Sequence, residues 1–271
     1  MQILYDAGSI IRYSANIYID CLLITYYMNN GDSTAIFSTE AGFIALNGSV
    51  KIKILDFLKT GPRSFDEIVT HTGKAKATIS VHLKDLKSGN LLEEQIDPDD
   101  RRKKIYFLKC QYLAYSQEPG VRHYTDMLDI IASRDLGKYG SLTCIFYAVQ
   151  YGFLAHGINC TPIMRDIGRD VGKSISNNLT STHPDDLLEE MMAFWETNNI
   201  GSFSVVEKEP LQIAVYDFFD CRSLPIKTKV LCSFAQGVFE GVFSDKFEVQ
   251  CNMEIVSDCT RNCGACLFVM R

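Results

Sequence analysis

Long apolar runs are scarce in this 271-residue sequence. The most apolar early stretch, Ile17–Met28, is twelve residues long and contains Asp20, too short and too charged to cross a bilayer. The first 16 residues lack a basic segment followed by an apolar run, and no small-residue cleavage site follows. No secretory signal is therefore expected, and a soluble cytoplasmic protein is. Positive charge is also in deficit: 27 Lys and Arg face 33 Asp and Glu, a net charge of −6, which argues against a nucleic-acid partner for the chain taken as a whole. No nucleotide fingerprint, Ser/His/Asp set or cofactor loop is visible, and His156 and His183 stand isolated, so an enzyme is not expected. With 46% hydrophobic and 22% charged residues the composition excludes disordered, collagen-like and low-complexity classes. The length suits one large domain or two of medium size.

What the chain does have is uneven charge and ten cysteines. Residues 47–110 hold 13 basic and 9 acidic residues, a local charge of +4, whereas the remainder holds 14 basic and 24 acidic, a charge of −10. A small basic module attached to an acidic body is the expected organisation. Only Cys21, Cys110 and Cys144 precede residue 150, and the other seven lie between Cys160 and Cys266. In a reducing compartment such a set points to metal, redox chemistry or packing. No internal repeat is visible.

Within the basic module, Ser49–Lys59 carries Val50, Ile54, Leu55 and Leu58 at helical spacing, and Gly61-Pro62 stops it. Ser64-Phe65-Asp66-Glu67 has the form of a capping box opening a second helix. Gly73 makes the turn into a third, Lys76–Ser88, whose Ile79, Leu83 and Leu86 face the core, with Gly89-Asn90 at its end. The outer face keeps Lys74, Lys76, Ala77, Thr78, Ser80, Val81 and Lys84, small, hydroxylic or basic residues suited to a major groove about 12 Å wide. Leu91–Ile96, the turn Asp97-Pro98-Asp99-Asp100 and the run Arg101-Arg102-Lys103-Lys104 leading into Ile105–Leu108 form a hairpin with four cations beside its tip. Helix, helix, turn, helix, basic hairpin is the order of a winged helix-turn-helix that binds DNA. His82, beside Leu83, has no Cys or acidic partner close enough in sequence to suggest zinc, so packing or a phosphate contact is its expected role.

The pattern Ile79-Ser80-Val81-His82-Leu83-Lys84-Asp85-Leu86, then Gly89, Leu91-Leu92 and the Asp97–Lys104 wing, resembles the ArsR/MarR-like bacterial and archaeal regulators over about 60 residues. That resemblance implies sequence-specific DNA binding by the exposed face of the third helix and by the wing.

Past the module, Gln111–Gly120 ends in Pro-Gly and reads as a linker entrance, and Val121 to about Ser133 suits a connector or dimer helix. Cys160–Leu179 has Ile163, Ile167, Val171 and Ile175 at steps of four, with Gly168 and Gly172 allowing close approach of a neighbour. Leu187–Asn198, preceded by Pro184, forms a further helix. Phe203–Lys208 and Leu211–Phe219 alternate as strands. A helix over about Lys227–Phe243 and strands over Phe247–Val256 and Cys266–Met270 complete the body. The expected fold class is α+β: an N-terminal winged helix-turn-helix followed by a C-terminal α+β domain with an antiparallel sheet covered by helices. Residues 1–45 read as an extension and a candidate dimer contact, 46–110 as the DNA-binding domain, 111–140 as linker and connector helix, and 141–271 as the sensor domain.

Cys259, Cys263 and Cys266 make a C-x3-C-x2-C cluster that can place three thiolates around one tetrahedral ion, with Cys232, Cys221 or Glu254 as a fourth ligand. The same spacing allows a disulfide, and Arg261 nearby favours thiolate. Redox-reactive thiols, structural zinc and core cysteines remain three open readings, while Cys21, Cys110, Cys144 and Cys160 are expected to pack as small hydrophobes. Phe219-Asp220-Cys221, Cys232 with Gly237 and Gly241, and Cys259 with Cys266-Leu267-Phe268 resemble the 4-vinyl-reductase domain family over about 120 residues. That family comprises small-molecule and metal-binding sensors related in fold to haem-nitric-oxide and TRAPP-type proteins. The resemblance implies structural zinc on Cys232, Cys259, Cys266 and an acidic residue, although the extra Cys263 and the closer Cys259–Cys266 spacing depart from the family pattern. A winged helix joined to such a domain is similar to redox-sensing regulators of methanogenic archaea, in which oxidation of sensor cysteines changes operator binding. The functional expectation is a homodimeric transcriptional regulator of double-stranded DNA, with no membrane partner, whose C-terminal cysteines sense redox state or zinc. The alternatives are a regulator responding to a small molecule with structural cysteines only, or a reductase-like enzyme with Phe203, Tyr216, Phe219 and Phe234 lining a pocket.

Overall fold

The computed structural model describes residues 34–59, 61–98, 100–132, 137–219, 229–257 and 264–271. The chain divides at Gln117/Glu118 into two compact units. The fold is α+β, as the sequence pattern requires, and each unit has its own core.

In the first unit, β1 (Thr34–Thr39) and β2 (Gly42–Asn47) form a tight hairpin, followed by α1 (Ser49–Leu58), the short β3 (Arg63–Ser64), α2 (Phe65–Thr72), α3 (Lys76–Ser88), β4 (Leu92–Ile96), β5 (Lys104–Leu108) and β6 (Gln111–Ser116). Leu55 and Leu58 of α1, Ile68 of α2, and Ile79, Leu83 and Leu86 of α3 converge with Leu92, Tyr106 and Phe37 in one core. The wing sheet runs β3-β5-β4, antiparallel throughout.

Two parts of this unit differ from the expectation. Residues 34–45, counted in the N-terminal extension, form the β1–β2 hairpin together with Leu46 and Asn47 of the expected DNA-binding domain, whereas Ile17–Met28 lies outside the described residues. Gln111–Ser116, read as a linker entrance, is strand β6, paired antiparallel with β1. The reason is non-local: Tyr112 stacks on Phe37 with ring centroids 5.1 Å apart, and the Lys59 ammonium lies 3.8 Å from the Tyr112 ring centroid.

The second unit runs α4 (Val121–Ala132), α5 (Gly137–Ala155), β7 (Ile158–Asn159), α6 (Thr161–Ser176), α7 (Pro184–Thr197), β8 (Ser202–Lys208), β9 (Leu211–Tyr216), α8 (Lys229–Phe247), β10 (Met253–Ser257) and β11 (Cys266–Met270). Its antiparallel sheet has the order β10-β11-β9-β8. Trp195 of α7 is buried among Phe203, Phe218 and Phe239, each ring centroid 5.1 Å away. Among the described residues, no helix is long and apolar enough to cross a membrane.

The stepwise series on α6 does not bury as its apolarity suggests. Ile167 and Val171 are exposed, and Gly168, Gly172 and Ser176 form the buried face. These glycines meet Gly237 and Gly241 of α8 backbone to backbone. A Cβ on Gly168 would overlap the Phe234 carbonyl oxygen, one on Gly172 that of Val238, and one on Gly237 that of Arg165. Close approach brings Arg165 and Arg169 onto the fully buried Glu240, whose other neighbour is the Met253 amide N–H at 2.8 Å. Gln236 donates to the Met253 carbonyl at 2.6 Å, so α8 holds both polar groups of the first residue of β10. The helix also outlasts its expected end: stacked rings of Phe243 and Phe247 continue it, the Cys251 N–H donates to Ser244 Oγ beyond it, and the strand begins only at Met253.

Ahead of α7, the Glu190 carboxylate accepts the backbone N–H groups of Thr180 and Ser181. These bonds hold its pKa down from 4.5 to about 2.

Two predictions follow from this packing. Gly237→Ala should cost about 3 kcal/mol of stability, because rigid backbone rather than a flexible side chain opposes the new methyl; urea unfolding followed by circular dichroism measures it. Glu190 stabilises the fold above pH 4.5, and its contribution is lost as pH falls towards about 2. Glu190→Gln should therefore flatten the acid-side loss of stability over that window, with little further change below it.

Candidate nucleic-acid interface and thiol pair

Helix α2 opens at Ser64, whose Oγ accepts the Glu67 N–H at 3.4 Å while Glu67 Oε2 accepts the Ser64 N–H at 2.7 Å. This reciprocal cap holds the Glu67 carboxyl below its usual range through its bonds to the Ser64 side chain and backbone. Gly73 ends α2 in the left-handed region (φ 66°), where a side chain is disfavoured, and so redirects the chain into α3. With Ile79, Leu83 and Leu86 buried, the opposite face of α3 is fixed outward. Lys76, Ala77, Thr78, Ser80, Val81 and Lys84, together with Lys74 just before the helix, are all exposed there.

The wing presents Arg101, Arg102, Lys103 and Lys104, also all exposed. Its tip is closed by backbone bonds between Asp97 and Lys103 and between Lys103 and Asp100. Asp99 of the expected turn lies outside the described residues. The sequence did not reveal β3, whose two residues are too few for a periodic signal; it pairs with β5 through Arg63↔Tyr106 and Ser64↔Ile105, adding a third strand to the wing.

Carboxylates shadow several of these cations. Lys76 Nζ lies 2.8 Å from Asp66, and this bond lowers the Asp66 pKa. Arg102 and Lys103 reach Asp100, and Lys104 shares Glu94 with Lys87. Hydrogen bonding to Arg102 lowers the Asp100 pKa, and bonding to Lys87 and then Lys104 lowers that of Glu94. Lys74, Lys84 and Arg101 have no ion-pair partner among the described residues. His82 is partly buried on α3, and its Nδ1 has no hydrogen-bond partner among the described residues.

In the second unit the structure brings together Cys232 of α8 and Cys266, the first residue of β11, both buried, with their sulfurs 3.0 Å apart. Cys221, Cys259 and Cys263 lie outside the described residues. Glu254 is exposed on β10 and ion-paired with Arg271 at 2.7 Å, rather than turned towards the two thiols. Among the described residues, no group of three His, Cys, Asp or Glu could hold a metal. Cys110, Cys160 and Cys251 are buried, and desolvation pushes all three thiols up, that of Cys110 to about 11. They stay protonated and unreactive near neutral pH.

Two uncharacterized proteins of Methanocaldococcus jannaschii are similar to the chain. One is 27% identical over 140 residues, 51% of this chain and 79% of its own length. The other is 30% identical over 80 residues, 30% of this chain and 47% of its own length, so the chain spans about half of it. A crystal structure of a vinyl-4-reductase family protein from the same species aligns with 56% of this chain and 90% of that one, at 14% identity and a TM-score of 0.35. Residues 48–94 match the family described as bacterial regulatory protein, arsR family. That match covers α1 to α3 and the start of β4, so the first unit carries an ArsR-family helix-turn-helix, which points to a DNA-binding regulator.

Proposed function

We propose that the chain is a homodimeric transcriptional regulator that reads operator DNA with α3 and the wing, and that its second unit senses redox state through Cys232 and Cys266. On this reading α3 lies in the major groove, with Ala77, Thr78, Ser80 and Val81 at base edges and Lys74, Lys76 and Lys84 towards phosphates. Arg101–Lys104 meet the flanking backbone. Two half-sites are needed because one short helix reads few base pairs.

The observation that carries the sensing role is the buried contact between the two sulfurs, 3.0 Å apart. Oxidation joins them: the two S–H bonds break, one S–S bond forms, two protons leave, and a peroxide-class oxidant takes the two electrons. The new bond fixes α8 to β11. A zinc ion on the same two thiolates would part the sulfurs to about 3.8 Å, given Zn–S bonds of about 2.3 Å. The 3.0 Å contact supports the dithiol reading, and zinc on the same two thiolates is the metal-linked form of it. Cys221, Cys259 and Cys263 enter this reading as partners for disulfide exchange.

A second reading is a regulator responding to a small aromatic molecule. It is favoured by the partly buried rings of Phe146, Phe219 and Phe234, spaced 6.2–6.5 Å apart, beside which Tyr147 Oη donates to the Phe219 carbonyl.

For the DNA contact, Arg101→Ala combined with Arg102→Ala should weaken binding to all sequences alike and reduce the slope of log K against log salt by up to about 1.8. Fluorescence anisotropy over a salt series reads this, and unchanged affinity at every salt concentration removes the wing from the interface. For the thiols, operator affinity should differ between reduced and peroxide-treated protein by about 5- to 150-fold, and Cys232→Ser should abolish the difference. Equal mobility shifts in both states for the unsubstituted chain would reject redox sensing. Zinc analysis of the same samples separates the dithiol from a metal-linked thiolate.

A further inference from the structure

Helix α5 is apolar on both sides. From Gly140 to Ala155, sixteen residues pass without one Asp, Glu, Lys or Arg. Tyr147, Tyr151 and Leu154 face inward and are buried in the core of the second unit. Ile145, Val149 and Phe153, at steps of four, are 55%, 54% and 43% exposed. α4 runs antiparallel along its flank, with the Gly120 N–H on the Leu154 carbonyl at 2.9 Å and the Tyr124 ring against Gly152. It adds the exposed Val121 and Leu128. Helices that are apolar all round are ordinarily covered all round, and nothing among the described residues covers this outer stripe.

We infer that the outer stripe of α5, with α4 at its flank, is the contact by which two copies of this chain pair about a two-fold axis. The inference deepens the dimeric reading above and rests on it. A two-fold contact sets each residue near the axis against its own copy, so any charge there meets a like charge. Residues 118–271 hold 13 basic and 20 acidic residues, a charge of −7, so two copies of this unit repel one another on balance. The uncharged stretch of α5 is a surface that avoids this cost. The extent is also sufficient: 19 residues make α5 about 28 Å long. With α4 beside it the face has the length of an interface of the roughly 1,000 Å² in total that a specific contact needs.

Sedimentation velocity on the full chain across a dilution series, without DNA, tests this. The unsubstituted protein should be a dimer. Val149→Glu should raise the dimer dissociation constant about 100-fold or more while leaving the circular dichroism spectrum unchanged. Independently, Val149→Cys should give a disulfide-linked dimer under mild oxidation beyond the level of the unsubstituted chain. A cysteine at Val206, 58% exposed on β8, should not. The cross-link decides the matter if Val149→Glu fails to fold. A folded Val149→Glu variant that stays dimeric overturns the surface and leaves the dimeric reading intact. A monomer at every dilution overturns both. Neither outcome bears on DNA binding by the wing, which the salt series tests separately.

Discussion

Helices α6 and α8 meet with almost no side chain between them, and much of the second unit is arranged by that contact. Four glycines set the backbones against one another. At that distance Arg165 and Arg169 reach Glu240 across the seam, and Glu240 with Gln236 holds Met253 by both its amide and its carbonyl. Met253 in turn registers β10 on β11 through Met270, and β11 begins at Cys266. The meeting of the two sulfurs is thus the far end of a chain of contacts that starts with missing Cβ atoms. Interposed methyl groups would part the helices and strain each bond along it.

The first unit depends on a different constraint: three helices must bury one side each so that the opposite side of α3 faces outward without ambiguity. Its cations are less free than their number suggests. Asp66, Asp100 and Glu94 act as internal counterions to Lys76, Arg102 and Lys104, and on the proposed reading a phosphate has to displace them. Lys74, Lys84 and Arg101 carry no such competitor among the described residues.

What was legible in the sequence was local. The capping box at Ser64–Glu67, the left-handed Gly73, the buried triplet on α3 and the strand Cys266–Met270 each announce themselves within one or two turns of chain. What was not legible depended on distant partners or on residues without a hydrophobic signal. β6 is a strand because β1 lies beside it, some 75 residues earlier. On α6 the glycines did announce the close approach, whereas the exposed Ile167 and Val171 misdirect a reading by apolarity. Cys232 lies on a helix and Cys266 on a strand, 34 residues apart, and no spacing rule joins them. The cluster that spacing did suggest, Cys259, Cys263 and Cys266, has only its last member among the described residues.

Trp195 is the sole tryptophan of the sequence, and it sits in the aromatic core of the second unit against Phe203, Phe218 and Phe239. Indole emission is therefore an optical signal from one half of the molecule alone. Its buried ring should emit to the blue and shift red only when that half opens. Melting of the helix-turn-helix half leaves it dark to the spectrometer, so the difference between fluorescence and circular dichroism transitions measures how far the two halves unfold as one.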